Sequence, residues 1–246
     1  MPSYKHYLLR GLNIGLASLL PSSCPLCGTS GNELLCRDCR HQFFKQNQSR
    51  CRQCAIPLLA HDAQHICGEC LSLTPAYDST LVAGDYAAPI DQMVLALKFG
   101  QKLALATLFA DLLRDALLQD PKLPLAELLC PVPLGRRRLQ ERGYNQSLEI
   151  AKPLSAHLGI SLAPLMLIRS RETVQQSSLH PDARQKNVHK AFALNADFID
   201  KVKGKHIGVI DDVMTTGTTL NEIAQLLKRF GAAQVSNYVF ARTPRH

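Results

Sequence analysis

Residues 209–220, VIDDVMTTGTTL, place two adjacent carboxylates before a loop of threonines around one glycine. An apolar run that ends in two aspartates predicts a buried strand whose tip reaches the surface, and TTGTT predicts a loop that opens a helix. Backbone N–H groups at a helix start favour an anion, the glycine lets the backbone approach it, and the threonine hydroxyls add donors. The loop therefore predicts a phosphate site formed by Thr215, Thr216, Gly217, Thr218 and Thr219.

The two aspartates predict a second feature of the ligand. Asp211 and Asp212 would repel a phosphate, but carboxylates accept hydrogen bonds from vicinal hydroxyls or hold a hydrated Mg²⁺. A ligand with a phosphate at one end and a diol a short distance away is a ribose 5-phosphate. A strand that ends in a capped turn without a ligand explains a threonine near a helix start, but it leaves the two adjacent acids unexplained.

Eight of the nine cysteines form four Cys-x-x-Cys pairs, and all eight lie within residues 24–70. In a reducing compartment such pairs indicate metal knuckles, because a tight turn directs two thiolates toward one tetrahedral ion. We predict two structural zinc ions that supply much of the folding free energy of this short segment. An interleaved pairing and a redox dithiol stay open as alternatives. In the sequential pairing, Cys24, Cys27, Cys36 and Cys39 hold one ion, and Cys51, Cys54, Cys67 and Cys70 hold the other.

The apolar pattern around these residues predicts strands that alternate with helices. This alternation is typical of an α/β fold, a mostly parallel sheet flanked by helices, in which ligands bind at the carboxyl ends of the strands. The acidic pair and the threonine loop occupy that position. Strands are predicted at residues 79–89 (running into a turn), 128–132, 162–168, 206–210 and 234–240, and helices on either side of Gly100, at 146–158 and at 218–230. Residues 169–190 are polar and predict a long loop.

Length and charge limit the remaining possibilities. The 246 residues suffice for one medium domain and a small module. We predict a short N-terminal helix in 1–23, a double zinc-ribbon module in 24–75 and the α/β domain in 76–246. The net charge of +8 indicates attraction of anionic partners. No apolar run reaches the roughly 20 residues that a membrane helix needs, so we expect no membrane insertion and a cytoplasmic protein.

The acidic pair followed by TTGTT, after four apolar residues, resembles the signature with which phosphoribosyltransferases bind 5-phosphoribosyl 1-pyrophosphate (PRPP). Three further stretches precede it, YAAPIDQMVLALKFG, CPVPLGRRRLQERGYNQS and RETVQQSSLHPDARQKNV. With the four cysteine pairs in front of them, essentially the whole chain resembles the ComF (GntX-like) family. The resemblance implies a phosphoribosyltransferase-like domain and a part in natural competence, where such proteins act inside the cell on incoming single-stranded DNA.

The resemblance also implies roles for individual residues. Asp211 and Asp212 would hold the ribose hydroxyls and Mg²⁺, and residues 215–219 would surround the 5-phosphate. The pyrophosphate needs cations, and an arginine fork matches phosphate oxygens well. The cationic candidates are Arg138, Arg142 and Lys98, with Asn145 as a further PRPP-binding candidate. The catalytic set is Asp211, Asp212 and Arg142. The loop around Arg171, Gln175 and Gln176 is a candidate lid, although an exposed loop is equally compatible with its composition.

Several functions fit these features. The first is Mg²⁺-dependent transfer of phosphoribose from PRPP to an acceptor, in which electrostatic stabilisation of the departing pyrophosphate dominates. The second is a non-catalytic module that binds single-stranded DNA or a competence partner such as a helicase and senses a nucleotide in its pocket. A third is an inactive transferase that responds to PRPP. Such transferases usually carry a hood over the acceptor base, and nothing after the core strands is large enough to form one. We expect the enzyme, with an unspecified acceptor.

Overall fold

The computed structural model describes residues 22–44, 49–58, 65–120, 123–170 and 191–244. The chain divides into two compact units, Met1–Lys45 and Gln46–His246. The division falls inside the segment predicted as a zinc-ribbon module, so each unit contains one of the two cysteine groups. The predicted N-terminal helix lies almost wholly outside the described residues, and so does most of the predicted loop at 169–190, including the candidate lid residues.

The first unit is small. Its strands β1 (Ser22–Ser23) and β2 (Ser30–Gly31) pair antiparallel, and helix α1 (Arg37–Phe44) follows them. The N–H of Gly28 donates to the carbonyl of Cys24 at 2.9 Å, which closes the turn that carries the first cysteine pair. Its buried side chains are few, and two of them are cysteines: Cys24, Leu35, Cys39 and Phe44. So small an apolar core needs another source of stability.

The second unit is built on a five-stranded sheet with the order β3-β9-β8-β4-β5, in which all neighbouring strands run parallel. The central strands β8 and β9 are buried over almost their whole length, as expected for strands covered on both faces. The predicted α/β fold is confirmed. The strands are β3 (Ser79–Asp85), β4 (Leu128–Pro131), β5 (Ser161–Leu162), β8 (His206–Met214) and β9 (Gln234–Arg242).

Helices cover both faces of this sheet. Val239 and Phe240 are neighbours on β9 and point to opposite faces, because side chains alternate along a strand. Phe240 stacks on Phe109 of one helix, whereas Val239 shares a buried cluster with Leu220 and Ile223 of another. The helices of the unit are α2 (Gly68–Leu73), α3 (Ile90–Phe99), α4 (Ala104–Gln119), α5 (Arg136–Arg142), α6 (Gln146–Leu158), α7 (Ile199–Val202) and α8 (Thr218–Arg229), with a 3₁₀ turn at Ala196–Phe198.

Two elements differ from the sequence-based expectation. Residues 162–168 were predicted as one strand, and this is wrong: β5 ends at Leu162, and β6 (Leu167–Arg169) pairs antiparallel with β7 (Phe192–Leu194) in a separate sheet. Pro164 lies in the turn between them, where it cannot donate to a ladder. Helix α5 was not predicted, although its residues, RRRLQER, are good helix formers.

No helix in the described part of the chain combines the length and the apolar character needed to cross a membrane.

Candidate functional site

A cavity of about 690 Å³ opens at the edge of the sheet where β3, β4, β8 and β9 end. The segments that follow these strands line it together with α3 and α5. Because the strands are parallel, their carboxyl ends meet at one edge, which is where ligands bind on such sheets. The predicted site residues that line the cavity are Lys98, Arg138, Arg142, Asp211, Asp212, Thr215, Thr216, Gly217, Thr218 and Thr219.

The acidic pair lies within β8 and not at an exposed strand tip, so that part of the prediction is wrong. Only 3% of the surface of Asp212 is exposed, and Asp211 is half-buried. The Ser147 hydroxyl donates to Asp211 Oδ1 at 2.9 Å, and Gln146 Nε2 donates to Asp212 Oδ1 at 3.2 Å. The start of α6 therefore orients both carboxylates.

The two carboxyl groups have opposite pKa shifts. Burial, and then the charge of Asp212, raises the pKa of Asp211 to about 7. Burial also disfavours the charged form of Asp212, but the ammonium group of Lys98 and hydrogen bonds with Gln146 and Asp211 together outweigh this effect, so the pKa of Asp212 is lowered. At neutral pH the permanent negative charge of the pair therefore belongs to Asp212.

Lys98 occupies a cation position beside the acidic pair. Its Nζ lies 2.5 Å from Asp212 Oδ2. That oxygen is buried and receives no well-aligned hydrogen bond from the described residues. A buried carboxylate oxygen next to a second carboxylate matches what Mg²⁺ takes from a protein, one or two carboxylates with water and phosphate completing the shell. The donor set thus fits the Mg²⁺ expected from the sequence.

Arg142 is joined to the acidic pair through a residue that sequence reasoning missed. Arg142 donates to Gln146 Oε1, and Gln146 in turn donates to Asp212. The guanidinium carbon of Arg142 lies 5.3 Å from the centre of the exposed Phe99 ring. Burial lowers the pKa of Arg142, yet an arginine stays charged in a protein. The only signal for Gln146 was its place in the RGYNQS stretch.

Asn145 is not among the residues that line the cavity. Its Oδ1 accepts a hydrogen bond from the N–H of Ser147 at 3.1 Å, and its Nδ2 donates to the carbonyl of Val132 at 3.0 Å. It therefore caps α6 and fixes that helix to the end of β4. Through this cap Asn145 places Gln146 and Ser147 against the acidic pair, while direct contact with a ligand stays a prediction.

Residues 215–217 connect β8 to α8, and we call them with Thr218 and Thr219 the phosphate loop. Gly217 has a φ of 81°, in the left-handed region that favours glycine. A Cβ at this position would lie 2.6 Å from Met214 Cε and 3.0 Å from the Tyr77 hydroxyl oxygen. The hydroxyls of Thr216 and Thr218 are 2.8 Å apart. The loop thus presents hydroxyl groups at the N-terminus of a twelve-residue helix.

Replacing Gly217 by alanine is expected to cost about 3 kcal/mol of unfolding free energy, because a left-handed conformation and a steric clash add. Binding of inorganic phosphate should be lost as the loop shifts. Gly159→Ala is the matched control, because its φ is 67° and no atom lies within 4 Å of an added Cβ. Thermal unfolding and phosphate titration of both variants check this, and an equal cost for the two substitutions would contradict the clash.

The structure brings the eight paired cysteines together in the sequential grouping. The first tetrad is Cys24, Cys27, Cys36 and Cys39, and the second tetrad is Cys51, Cys54, Cys67 and Cys70. Within each tetrad the four sulfurs lie within 4.8 Å of one another, with 3.6 Å between Cys27 and Cys36 and between Cys54 and Cys67. Tetrahedral zinc with Zn–S distances of about 2.3 Å requires sulfurs about 3.8 Å apart. Both tetrads fit structural zinc.

Comparisons with known proteins agree with this architecture. Residues 145–246 match the family described as phosphoribosyl transferase domain, and residues 15–71 match the double zinc ribbon domain. Among solved structures, a glutamine PRPP amidotransferase from B. subtilis is similar with a TM-score of 0.34 and 22% identity, over 56% of this chain and 25% of that one. A purine phosphoribosyltransferase from Pyrococcus horikoshii has a TM-score of 0.28 and 16% identity, over 67% and 87%. The two family matches define a protein with a phosphoribosyltransferase-type domain and a double zinc ribbon.

Full-length relatives identify the family. The DNA utilization protein YhgH of Salmonella typhi is 36% identical over 212 residues, which cover 85% of this chain and 90% of the relative. YhgH of Escherichia coli K12 is 34% identical over 91% and 98%. Competence protein F of Haemophilus influenzae is 33% identical over 85% and 90%. The chain belongs to the ComF family of competence and DNA utilization proteins.

Proposed function

We propose that this protein binds PRPP with Mg²⁺ in the cavity and transfers the phosphoribosyl group to an acceptor. The observation that carries the proposal is the convergence of the acidic pair, the phosphate loop and cationic side chains on one cavity. Each of these groups matches a different part of PRPP. A cavity of about 690 Å³ also has the size of a typical small-molecule site.

The phosphate loop would bind the 5-phosphate through backbone N–H groups and threonine hydroxyls. Asp211 and Asp212 would accept hydrogen bonds from the ribose hydroxyls and hold Mg²⁺. The pyrophosphate would lie against Arg142, Arg138 and Lys98. Arg142 is the best placed of these cations, because its contact with Gln146 and its position over Phe99 restrict its side chain before the ligand arrives.

The reaction breaks the bond between the anomeric carbon and the pyrophosphate oxygen and forms a bond from that carbon to the acceptor. The electron pair of the broken bond leaves with the pyrophosphate, so the binding of this leaving group by cationic side chains is the main catalytic contribution. When bound, Mg²⁺ supplies further stabilisation of the developing charge. Asp211 and Asp212 would stabilise the positive charge that develops on the sugar, because both carboxylates line the same cavity.

Lys98 is proposed to change its ion-pair partner from Asp212 to the pyrophosphate when the ligand binds. Its ammonium group is paired with Asp212, the carboxylate that would also hold Mg²⁺. Lys98 lines the same cavity as Arg142 and is 22% exposed as a side chain. Released from Asp212, its flexible side chain would be able to reach the pyrophosphate as a point charge.

Calorimetric titration of PRPP with Mg²⁺ tests the binding proposal. We expect the Asp211→Asn/Asp212→Asn variant to bind at least about 100-fold more weakly than the unmodified chain, because hydrogen bonds to charged groups are each worth about 1.5–3 kcal/mol. Asp197→Asn, in the 3₁₀ turn, is the control and should bind normally. Release of pyrophosphate from labelled PRPP with nucleobases or DNA then tests transfer. If PRPP binds but no pyrophosphate is released, the transferase proposal is rejected and the site is a PRPP sensor.

The affinity for PRPP is expected to depend on pH through Asp211, whose raised pKa is about 7. Asp212, Lys98 and the Ser147 hydroxyl face this carboxyl group. The ligand needs the carboxylate, so below the pKa it must displace a proton, and its affinity falls by about tenfold per pH unit. Above the pKa the affinity is constant. Titrations of the unmodified chain and of Asp211→Asn between about pH 5.5 and about pH 8.5 separate this effect from titration of the ligand's own phosphates. Superimposable profiles would contradict it.

The family relationship favours a second function, the binding of single-stranded DNA during its uptake or use, with a competence helicase as a further proposed partner. Helix α5 presents Arg136 and Arg137 on its exposed side, next to Arg138 at the cavity. Binding through phosphates should weaken strongly as salt rises and should persist in the Asp211→Asn/Asp212→Asn variant. Loss of DNA binding in that variant would show one shared site. We propose that these functions are carried out in the cytoplasm, because thiolate metal ligands persist in a reducing compartment.

A further inference from the structure

The second tetrad lies in the same compact unit as the cavity. Its cysteines belong to a buried cluster that includes Tyr77, Met214 and Leu220. Met214 directly precedes the phosphate loop, and Leu220 directly follows it in the first turn of α8. The metal site and the phosphate loop therefore rest on one shared core. The first tetrad belongs to the other unit.

Arg242, the last residue of β9, connects the second tetrad to the start of the phosphate loop. Its side chain is buried, with 1% of the residue exposed. Nε donates to the carbonyl of Cys54 at 2.9 Å, whereas Nη1 donates to the carbonyl of Met214 at 3.1 Å and to that of Thr215. Because the guanidinium group is a rigid planar fork, these contacts fix the relative position of a metal-ligand turn and the loop backbone.

The charge of Arg242 also points to the metal. Among the described residues, Arg242 forms no ion pair with a carboxylate. A buried charge without a counter-charge is costly. Four thiolates around one Zn²⁺ carry a net negative charge of about two. The metal-loaded second tetrad therefore supplies a counter-charge next to the carbonyl that Arg242 contacts.

A second connection runs through Gln53, which lies between two ligands of the second tetrad. Gln53 Nε2 donates to the carbonyl of Pro75 at 3.0 Å and to that of Tyr77 at 3.1 Å. The buried hydroxyl of Tyr77 is the group that a side chain on Gly217 would meet at 3.0 Å. The cysteine turn thus positions Tyr77, and Tyr77 packs against the centre of the phosphate loop.

We propose that the second tetrad is a positioning element of the phosphate loop. With metal bound it holds residues 214–217 through Arg242 and Tyr77, and loss of this metal weakens binding of the sugar phosphate. The first tetrad has no such effect. The identity of the ligand rests on the proposed function, whereas the effect of the metal on the loop does not.

Arg242→Lys tests this connection in the full-length, zinc-loaded chain, because lysine keeps the charge and removes the fork. We expect the affinity for PRPP with Mg²⁺ to fall by about tenfold or more, since misplaced binding groups are costly. The amide resonances of residues 215–219 should move, while the zinc content stays at two ions per chain. Gln53→Ala should have the same effect to a smaller degree. Unchanged loop resonances in both variants would overturn the proposal.

The metal itself is tested by Cys67→Ser in the second tetrad against Cys27→Ser in the first. Each should reduce the zinc content to one ion per chain, but only Cys67→Ser should weaken PRPP binding and move the loop resonances. Equal effects of the two variants overturn the proposal. If Cys67→Ser does not fold, Arg242→Lys and Gln53→Ala decide, because both keep all eight ligands. The two proposals can also fail separately. If the loop resonances change on loss of zinc from the second tetrad but the chain binds no PRPP, this inference is supported and the proposed function is rejected.

Discussion

Replacing Lys98 by methionine is expected to lower the free energy of unfolding by about 3 kcal/mol at neutral pH, because it leaves a buried carboxylate without its partner. Lys98 Nζ lies 2.5 Å from Asp212 Oδ2, and the two side chains are 22% and 4% exposed. The value is at the lower end of the range for buried pairs, because Lys98 retains some contact with water. Chemical denaturation of the two chains measures it.

The pH dependence of this loss identifies its cause. The pKa of Asp212 is lowered in the folded chain, so its ion pair contributes stability above the unfolded pKa, and this stability is lost as pH falls through the folded value. Without Lys98, burial and Asp211 remain and raise the pKa of Asp212. The stability of Lys98→Met should therefore fall with rising pH above about 4, and its deficit should shrink in acid.

Two further variants complete the comparison. Lys98→Met/Asp212→Asn removes the charge of the carboxyl group, so most of the lost stability should return. Lys205→Met breaks an ion pair with Glu127 in which both side chains are about half exposed, and it should change the stability little. If the double variant is no more stable than Lys98→Met, the loss comes from packing of the lysine chain and not from the buried charge.

Removing zinc from the first tetrad is expected to unfold residues 22–44 while the parallel sheet of the second unit stays folded. The described part of the first unit has two strands of two residues and one helix, and its few buried side chains include two ligand cysteines. Structural zinc contributes about 10 kcal/mol or more to the folding of such modules. In Cys39→Ser we expect one zinc ion per chain and loss of hydrogen-exchange protection confined to residues 22–44.

Cys130 provides the matched control. It is the ninth cysteine, fully buried in β4 and outside both tetrads. Cys130→Ala should retain two zinc ions per chain and full amide protection in residues 22–44. Zinc content is measured by atomic emission, and protection by hydrogen exchange. Protected amides in residues 22–44 of a zinc-depleted Cys39→Ser chain would show that this unit folds without its metal.

The features predicted correctly from the sequence are helix limits, which depend on local residues, and the fold class, which depends on the order of the elements. The helix limits at Gln146 and Leu158 follow from Asn145, which caps the N-terminus, and from Gly159, which adopts the left-handed conformation after the last turn. The parallel sheet follows from the alternation of strands and helices. The division of residues 162–168 between two sheets was missed because the apolar pattern of a segment does not indicate which strands its two halves pair with.

The site also contains residues that the sequence indicates and residues that only the fold brings together. Asp211, Asp212 and the phosphate loop lie within nine residues of each other, so their types and spacing alone indicate a sugar phosphate. The residues that orient them come from distant parts of the chain: Ser147 is 64 residues from Asp211, and Arg242 is 188 residues from Cys54. The composition of RGYNQS or of the final strand carries no sign of those contacts.

By itself, the sequence determined the kinds of chemical group present, their local turns and caps, and the four Cys-x-x-Cys pairs, because these depend on neighbours within a few residues. The grouping of the pairs into two tetrads came from the structure. Only the tertiary structure decided that Lys98 pairs with Asp212, that Gln146 and Ser147 orient the acidic pair, and that the second tetrad shares a core with the phosphate loop. Burial and long-range packing set those partnerships, since a charge is neutralised by whichever group the fold brings within a few ångströms of it.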